Sequence, residues 1–224
     1  MAEAVDYFSN HRLKLRFPWR LYHGPIVSAL GRVLAERSEA NVLNVGSGPF
    51  FELTHLRTTN ARFTLCDIDS RAMEMARNLH GSRLARTDTI VAGDPLPYED
   101  GSFDLVVSMD VIEHLPDPDP WCREIARVVK PGGTVFLTTP NYGFSTLGIL
   151  ERTVLEAVAR WQGFSRRDLH PSKFSRRMLR AALVRQGLVD VHVRALAFGW
   201  VLSAEATKPL PAATSAARPI TRGR

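Results

Sequence analysis

Five short apolar runs, each closed by Gly, Asp, Pro or a polar turn residue, recur along the middle of this chain: NVLNVG (41–46), RFTLCD (62–67), TIVAGD (89–94), FDLVVSM (103–109) and TVFLTT (134–139). Their length and β-branched content mark them as strands. Between them, SRAMEMARNLH (70–80) and PWCREIARVV (120–129) place apolar residues at helical spacing. Strands that alternate with helices close through right-handed crossovers, which gives a mostly parallel sheet covered on both faces. GLVDVHVRALAFGWVL (187–202) then holds two strand patterns with no helix between them, predicting an antiparallel hairpin at the sheet edge. The expected architecture is an open α/β sheet of seven strands, mostly parallel, with helices on both faces.

Two segments stand outside the alternation. Residues 1–38 mix basic and aromatic side chains in HRLKLRFPWRLYH and continue into the helical run GPIVSALGRVLAER. They are read as an N-terminal helical cap. Residues 142–170 are too long for a mere connector and leave the carboxyl end of the fifth strand, where ligands of open α/β sheets bind. They are read as a lid inserted into a domain spanning 39–202. From Ser203 onward the chain is rich in Pro, Ala, Ser and Thr and carries +3 of the net charge of +6, so 203–224 is expected to be a disordered tail. That placement removes most of the reason to expect a nucleic-acid partner from charge alone.

At 224 residues, with 45% hydrophobic and 23% charged residues, the chain has the balance of one soluble globular domain. No apolar run approaches the ~20 residues that span a bilayer, and the opening residues lack the apolar centre of a secretory signal. A cytoplasmic protein is expected. Cys66 and Cys122 lack metal-type spacing and are expected to be reduced, buried thiols.

The first strand runs into a glycine turn, VLNVGSGPF (42–50). Gly46, Ser47 and Gly48 would let backbone N–H groups approach a ligand with no Cβ in the way, at the start of a helix that Pro49 can open. Asp67 ends the second strand 21 residues beyond Gly46, the interval at which an acid accepts hydrogen bonds from a ribose, with Ile68 beside it. Taken alone, this pattern also suits a dinucleotide oxidoreductase.

The downstream block VAGDPLPYEDGSFDLVVSMDVIEHLPDPDPWCREIARVVKPGGTVFLTTPN (91–141) resembles the class I S-adenosylmethionine-dependent methyltransferases, Rossmann-like enzymes in which a G-D-x-x-x-L-P-like stretch, an F-D-L-V strand, an E-H pair and a K-P-G-G turn follow in this order. The resemblance extends over about 42–187 and is similar in kind to the small-molecule methyltransferases of ubiquinone biosynthesis. It implies that S-adenosylmethionine binds, with S-adenosylhomocysteine as product, through Asn44, Gly46, Ser47, Gly48, Asp67, Ile68, Asp94 and Met109. Asp94 would meet the adenine amino group and Met109 the adenine or methionine moiety. Asn44 replaces the acid that in the family helps hold the cofactor's ammonium group, which predicts weaker binding by ~1 kcal/mol. Phe50 stands where a third glycine would be usual.

Methyl transfer asks the protein mainly for proximity and alignment, plus a base when the acceptor is a hydroxyl. His114, five residues beyond Met109, and His170 in DLHPSKFS are the candidate catalytic groups. If a helical turn begins after the fourth strand, Asp110, Glu113 and His114 fall at i, i+3 and i+4 on one face. This looks like the E-x-x-E-H metal site of ubiquinone-biosynthesis O-methyltransferases and of small-RNA 3′-terminal 2′-O-methyltransferases. A divalent cation would then use Asp110, Glu113, His114 and His170, although the expected site contains no metal. The stripe Leu147, Leu150, Val154, Leu155, Val158 and Trp161 reads as a helix over the core, or as a lid over a lipophilic or aromatic substrate that could also touch a membrane surface. The arginines of SRRMLRAALVRQG read as a solvated helix back, and no aromatic stacking stripe argues for RNA. The expected function is methylation of a small-molecule hydroxyl. The alternatives are a metal-assisted RNA 2′-O-methyltransferase and a non-methylating cofactor-binding protein on the same fold.

Overall fold

A computed structural model describes residues 20–37, 39–56, 60–143 and 171–211. Its strands are β1 (Asn41–Val45), β2 (Arg62–Asp67), β3 (Leu84–Thr89), β4 (Phe103–Met109) and β5 (Val129–Pro140), followed by β6 (Val189–Leu196) and β7 (Val201–Thr207). The sheet order is β3-β2-β1-β4-β5-β7-β6, parallel throughout except that β7 runs antiparallel to both neighbours. The expected doubly wound sheet with its antiparallel hairpin is present. β1 is the switch point: the chain leaves it toward β2 and β3, then returns on its other side as β4.

Alternating residues of the strands feed two cores. One face, with Val42, Phe63, Leu105, Val107 and Phe136, is covered by α1 (Arg20–Ala35) and α2 (Ser70–His80). The other, with Leu43, Val45, Val106, Val135 and Leu137, is covered by α3 (Asp119–Val128) and α4 (Arg176–Arg185). α2 and α4 begin with side-chain caps, Asp69 accepting from the Arg71 N–H and Ser175 from the Met178 N–H.

Several boundaries differ from the sequence reading. The third strand is LARTDT (84–89), whereas TIVAGD was expected; most of that run lies beyond it as a loop, with Val91 exposed. β3 is an edge strand, paired on one side only, so Arg86 and Asp88 serve it where apolar residues would invite a second chain. The K-P-G-G turn sits inside β5 as an irregularity: Phe103 pairs with Val129, but Leu105 already pairs with Thr134.

The N-terminal helix does not stand off the sheet in its described part. Ile26, Ala29, Leu30, Val33 and Leu34 of α1 are core residues against the sheet. Nor does a tail begin at Ser203, because β7 continues to Thr207 between β5 and β6, and Lys208 donates through Nζ to the carbonyls of Arg127 and Val129. Ser203, Ala204 and Ala206 are buried there. Their small size resembles tail composition but suits a strand packed on both faces. The stripe expected within 144–161 and residues 212–224 lie outside the described residues.

Candidate active site

The carboxyl ends of β1 and β4 meet at Ser47. Its Oγ accepts a hydrogen bond from the Met109 backbone N–H (3.1 Å) and another from Asn44 Nδ2 (3.0 Å). One hydroxyl thus ties the glycine turn to the adjacent strand across the switch point. Gly46 and Gly48 both take the left-handed backbone (φ 75° and 61°). At Gly46 a Cβ would lie 3.0 Å from both γ-methyls of Val111, whereas at Gly48 it would meet nothing within 4 Å. The first glycine is therefore required by packing, while the second leaves open space beside the loop.

Asp67 closes the other side. It is buried at the end of β2, and its Oδ2 accepts the Gly48 N–H (2.8 Å) while its Oδ1 accepts the Asp69 N–H (3.0 Å). Each oxygen keeps a second lone pair for a ligand. Ile68 is solvent-exposed beside it. Asp94 is exposed in the loop after β3, following Gly93 in the left-handed region. The Met109 side chain is buried, among the same core residues as Val42 and Phe50.

Pro49 does not open an α-helix. Phe50 follows in left-handed backbone (φ 55°, ψ 53°) and leads into a five-residue 3₁₀ turn, Phe51–His55. The position where a third glycine is usual does adopt a glycine conformation; Phe50 occupies it with its ring fully buried, 6.1 Å from the Phe63 ring. His80, at the end of α2, bonds the Pro49 carbonyl through Nε2 (2.8 Å), an anchor of this loop that sequence spacing did not point to. Burial holds the His80 imidazole below its usual pKa.

The expected grouping of Asp110, Glu113 and His114 on one helical face is not formed. Asp110 is itself left-handed (φ 53°), and only Ile112–His114 make a short 3₁₀ turn. The Asp110 carboxylate accepts from Thr138 Oγ1 (3.0 Å), and the buried Glu113 carboxylate accepts from Thr139 Oγ1 (3.0 Å). Successive residues of a strand point to opposite faces, so β5 draws the two carboxylates to opposite sides of the sheet. His114 is exposed, and His170 lies outside the described residues. Among the described residues no group of three or more His, Cys, Asp or Glu is placed to hold a metal ion.

Elsewhere, Cys66 and Cys122 are buried free thiols, each pushed up to about 12 by burial. An open groove of about 460 Å³ lined by Arg176, Arg177, Arg180, His192 and Arg194 follows the edge strand β6, four strands away from the glycine loop.

Residues 43–137, which contain this loop and both strand ends, match the family model described as a methyltransferase domain. Over these residues the chain is similar to class I S-adenosylmethionine-dependent methyltransferases. A ubiquinone biosynthesis O-methyltransferase of Xanthomonas oryzae pv. oryzae is 37% identical to it over 105 residues, 46% of this chain and 44% of that protein. One from Vibrio cholerae is 28% identical over 67% of this chain and 64% of its own length. An uncharacterized methyltransferase of Mycobacteroides abscessus is 33% identical over 59% of this chain and 52% of its length. The chain thus spans about half the length of the curated relatives it matches.

Among solved structures, a "possible histamine N-methyltransferase" from Thermotoga maritima superposes with a TM-score of 0.64 at 18% identity, covering 90% of this chain and 96% of that one. A 4+2 cyclase shares the fold with a TM-score of 0.59 at 18% identity, covering 82% of each chain. The site fits S-adenosylmethionine on one further observation. Asn44 is fully buried, and its Oδ1 has no hydrogen-bond partner. A buried carbonyl left unsatisfied is costly, and an ammonium donor would satisfy it. No helix among the described residues is long and apolar enough to cross a membrane.

Proposed function

We propose that this protein transfers a methyl group from S-adenosylmethionine to a hydroxyl oxygen of a small molecule. The observation that carries the reading is the closed set Asn44–Ser47–Met109 and Gly48–Asp67 at the switch point, with one buried acceptor, Asn44 Oδ1, still unsatisfied. In this reading Asp67 holds ribose hydroxyls with its remaining lone pairs, Asn44 Oδ1 accepts from the ammonium group, Asp94 meets the adenine amine, and Ile68 and Met109 flank the base. When bound, the sulfonium supplies an electrophilic methyl, so that the oxygen–carbon bond forms as the carbon–sulfur bond breaks and the electron pair leaves on sulfur.

The protein's share is alignment, with His114 assigned to take the hydroxyl proton and His170 as the second candidate. The relatives named as ubiquinone biosynthesis O-methyltransferases support oxygen as the acceptor atom. Isothermal calorimetry with S-adenosylhomocysteine tests the site: the wild-type chain binds, and Asp67→Ala weakens binding at least tenfold. No heat of binding in the wild type overturns the proposal. With catechol as trial acceptor, a His114→Gln variant that keeps full turnover removes His114 from the role of base.

The 4+2 cyclase on this fold supports a second reading, in which the cofactor is bound and no methyl is transferred. Detection of S-adenosylhomocysteine formed in step with a methylated acceptor excludes it.

A further inference from the structure

The turn that joins β6 to β7 carries more strain than a hairpin needs. Ala197 and Phe198 are consecutive non-glycine residues in the left-handed region (φ 49° and 58°), followed by Gly199 at 87°. Tight hairpins use such angles, but they fill them with Asn, Asp and Gly because side chains with a bulky Cβ are strained there. The surroundings hold the turn in place. Asn141 donates through Nδ2 to the Gly199 carbonyl (2.7 Å) and through its backbone N–H to the Trp200 carbonyl (2.8 Å), while Ala197 is buried in the same core as α1.

Burial accounts for Ala197; it does not account for Phe198. The Phe198 side chain belongs to a residue 77% exposed, and its ring lies 5.9 Å from that of Trp200. A fold that needed only a turn would place a small polar residue there. Strain that presents a large apolar group to solvent points to a ligand.

Its position says which ligand. Val201 pairs with Pro140, the last residue of β5, so the turn stands just past the carboxyl edge on which the Gly46–Gly48 loop and Met109–Asp110 lie. β5 is the neighbour of β4, and strands are about 4.8 Å apart. The Trp200 backbone, hydrogen-bonded to Asn141 just past the end of β5, is two strand spacings across from β4 and three residues further along than Met109, which puts it roughly 14 Å from the end of β4. Tyr142 follows on this edge, with Lys173 Nζ 5.6 Å from its ring centroid.

We propose that Phe198 and Trp200 form a platform for the acceptor and that it takes a flat, apolar, aromatic part of that molecule. The reacting hydroxyl then reaches from the platform toward the end of β4. This rests on the methyl-transfer reading above and narrows it to acceptors that carry an aromatic or comparably flat apolar group.

The test uses the full chain and 2-naphthol, a flat hydroxylated aromatic, titrated by calorimetry with and without saturating S-adenosylhomocysteine. Phe198→Gly suits it, because glycine accepts the left-handed backbone without strain. The variant is expected to melt at the same or a higher temperature and to bind S-adenosylhomocysteine as the wild type does. Its 2-naphthol affinity should fall about tenfold, the scale of one aromatic pair, while Phe198→Tyr keeps it. Equal 2-naphthol affinity in wild type and Phe198→Gly overturns the platform, as does a wild type that binds S-adenosylhomocysteine but no 2-naphthol. A change of oligomeric state in Phe198→Gly, read by light scattering, reassigns the patch to a second copy of the chain and overturns it too. Failure to bind S-adenosylhomocysteine counts against the methyl-transfer reading alone, since 2-naphthol binding that depends on Phe198 is read without it.

Discussion

Asn44 concentrates the chemistry of the site in one side chain. Its Nδ2 is satisfied by Ser47, its Oδ1 is not, and it is wholly removed from solvent. An unsatisfied buried acceptor costs ~1–3 kcal/mol, which a ligand donor can return on binding. Restoring a carboxylate should have opposite effects on the two states. In Asn44→Asp the ligand-free protein gains a buried charge and should melt lower, while affinity for S-adenosylhomocysteine, with its ammonium group, should rise about tenfold, the ~1.4 kcal/mol scale of a charge-assisted hydrogen bond. Thermal melts with and without the ligand read both at once: the ligand-induced shift should be larger in the variant. An unchanged or smaller shift would mean that the loop is fitted to something other than an ammonium. Phe50 makes a similar point about residue identity. A glycine's backbone is retained there without the glycine, because a fully buried ring against Phe63 offsets the strain.

At the scale of elements, the glycine loop is fixed by its neighbours as much as by its own sequence. α2 ends on His80, which holds the Pro49 carbonyl, and burial lowers the pKa of this imidazole. Neutral His80 donates Nε2–H to that carbonyl. The folded pKa lies below the unfolded value of about 6.5, so the unfolded chain binds more protons as pH falls through that region. The contribution is present in full above pH ~6.5 and is lost progressively below it. Urea unfolding at pH 7.5 and 5.5 should show a loss of stability on acidification that is reduced in His80→Gln; an equal loss in both chains would remove His80 from this role. The same scale explains why the D-V-I-E-H spacing misled. The helical face presumed one continuous helix from Asp110, but Asp110 turns left-handed and donates its backbone N–H to the Thr138 carbonyl, while Thr138 and Thr139 draw Asp110 and Glu113 apart. Spacing predicts a shared face only where the backbone is one regular element.

Across the whole molecule, the sheet binds its last strand into the interior. β7 lies between β5 and β6, and Lys208 closes the ladder by exchanging backbone bonds with Gly132 and Gly133. A chain ending after Pro211 keeps the whole of β7 and the Lys208 contacts and should therefore melt within about 2 °C of the full chain. A chain ending after Leu202 loses most of β7 and should show no cooperative melt. Equal melting of both truncations would refute this topology.

The alternation of strands and helices, the cover on both faces of the sheet and the interval between the glycine loop and Asp67 were legible in the sequence because each depends on local pattern: periodicity, turn residues and a fixed interval along the chain. Tertiary structure decided what depends on neighbours distant in sequence. Edge or interior position made LARTDT a strand and left most of TIVAGD outside it. Coverage on both faces turned the tail-like Ser203–Thr207 into a buried strand, and packing made α1 a core helix. Only the pairing of β5 with β7 brought Phe198 and Trp200 to the edge that holds Gly46 and Met109. Local pattern fixes which elements form, and the partners that each element finds in space fix which side chains meet.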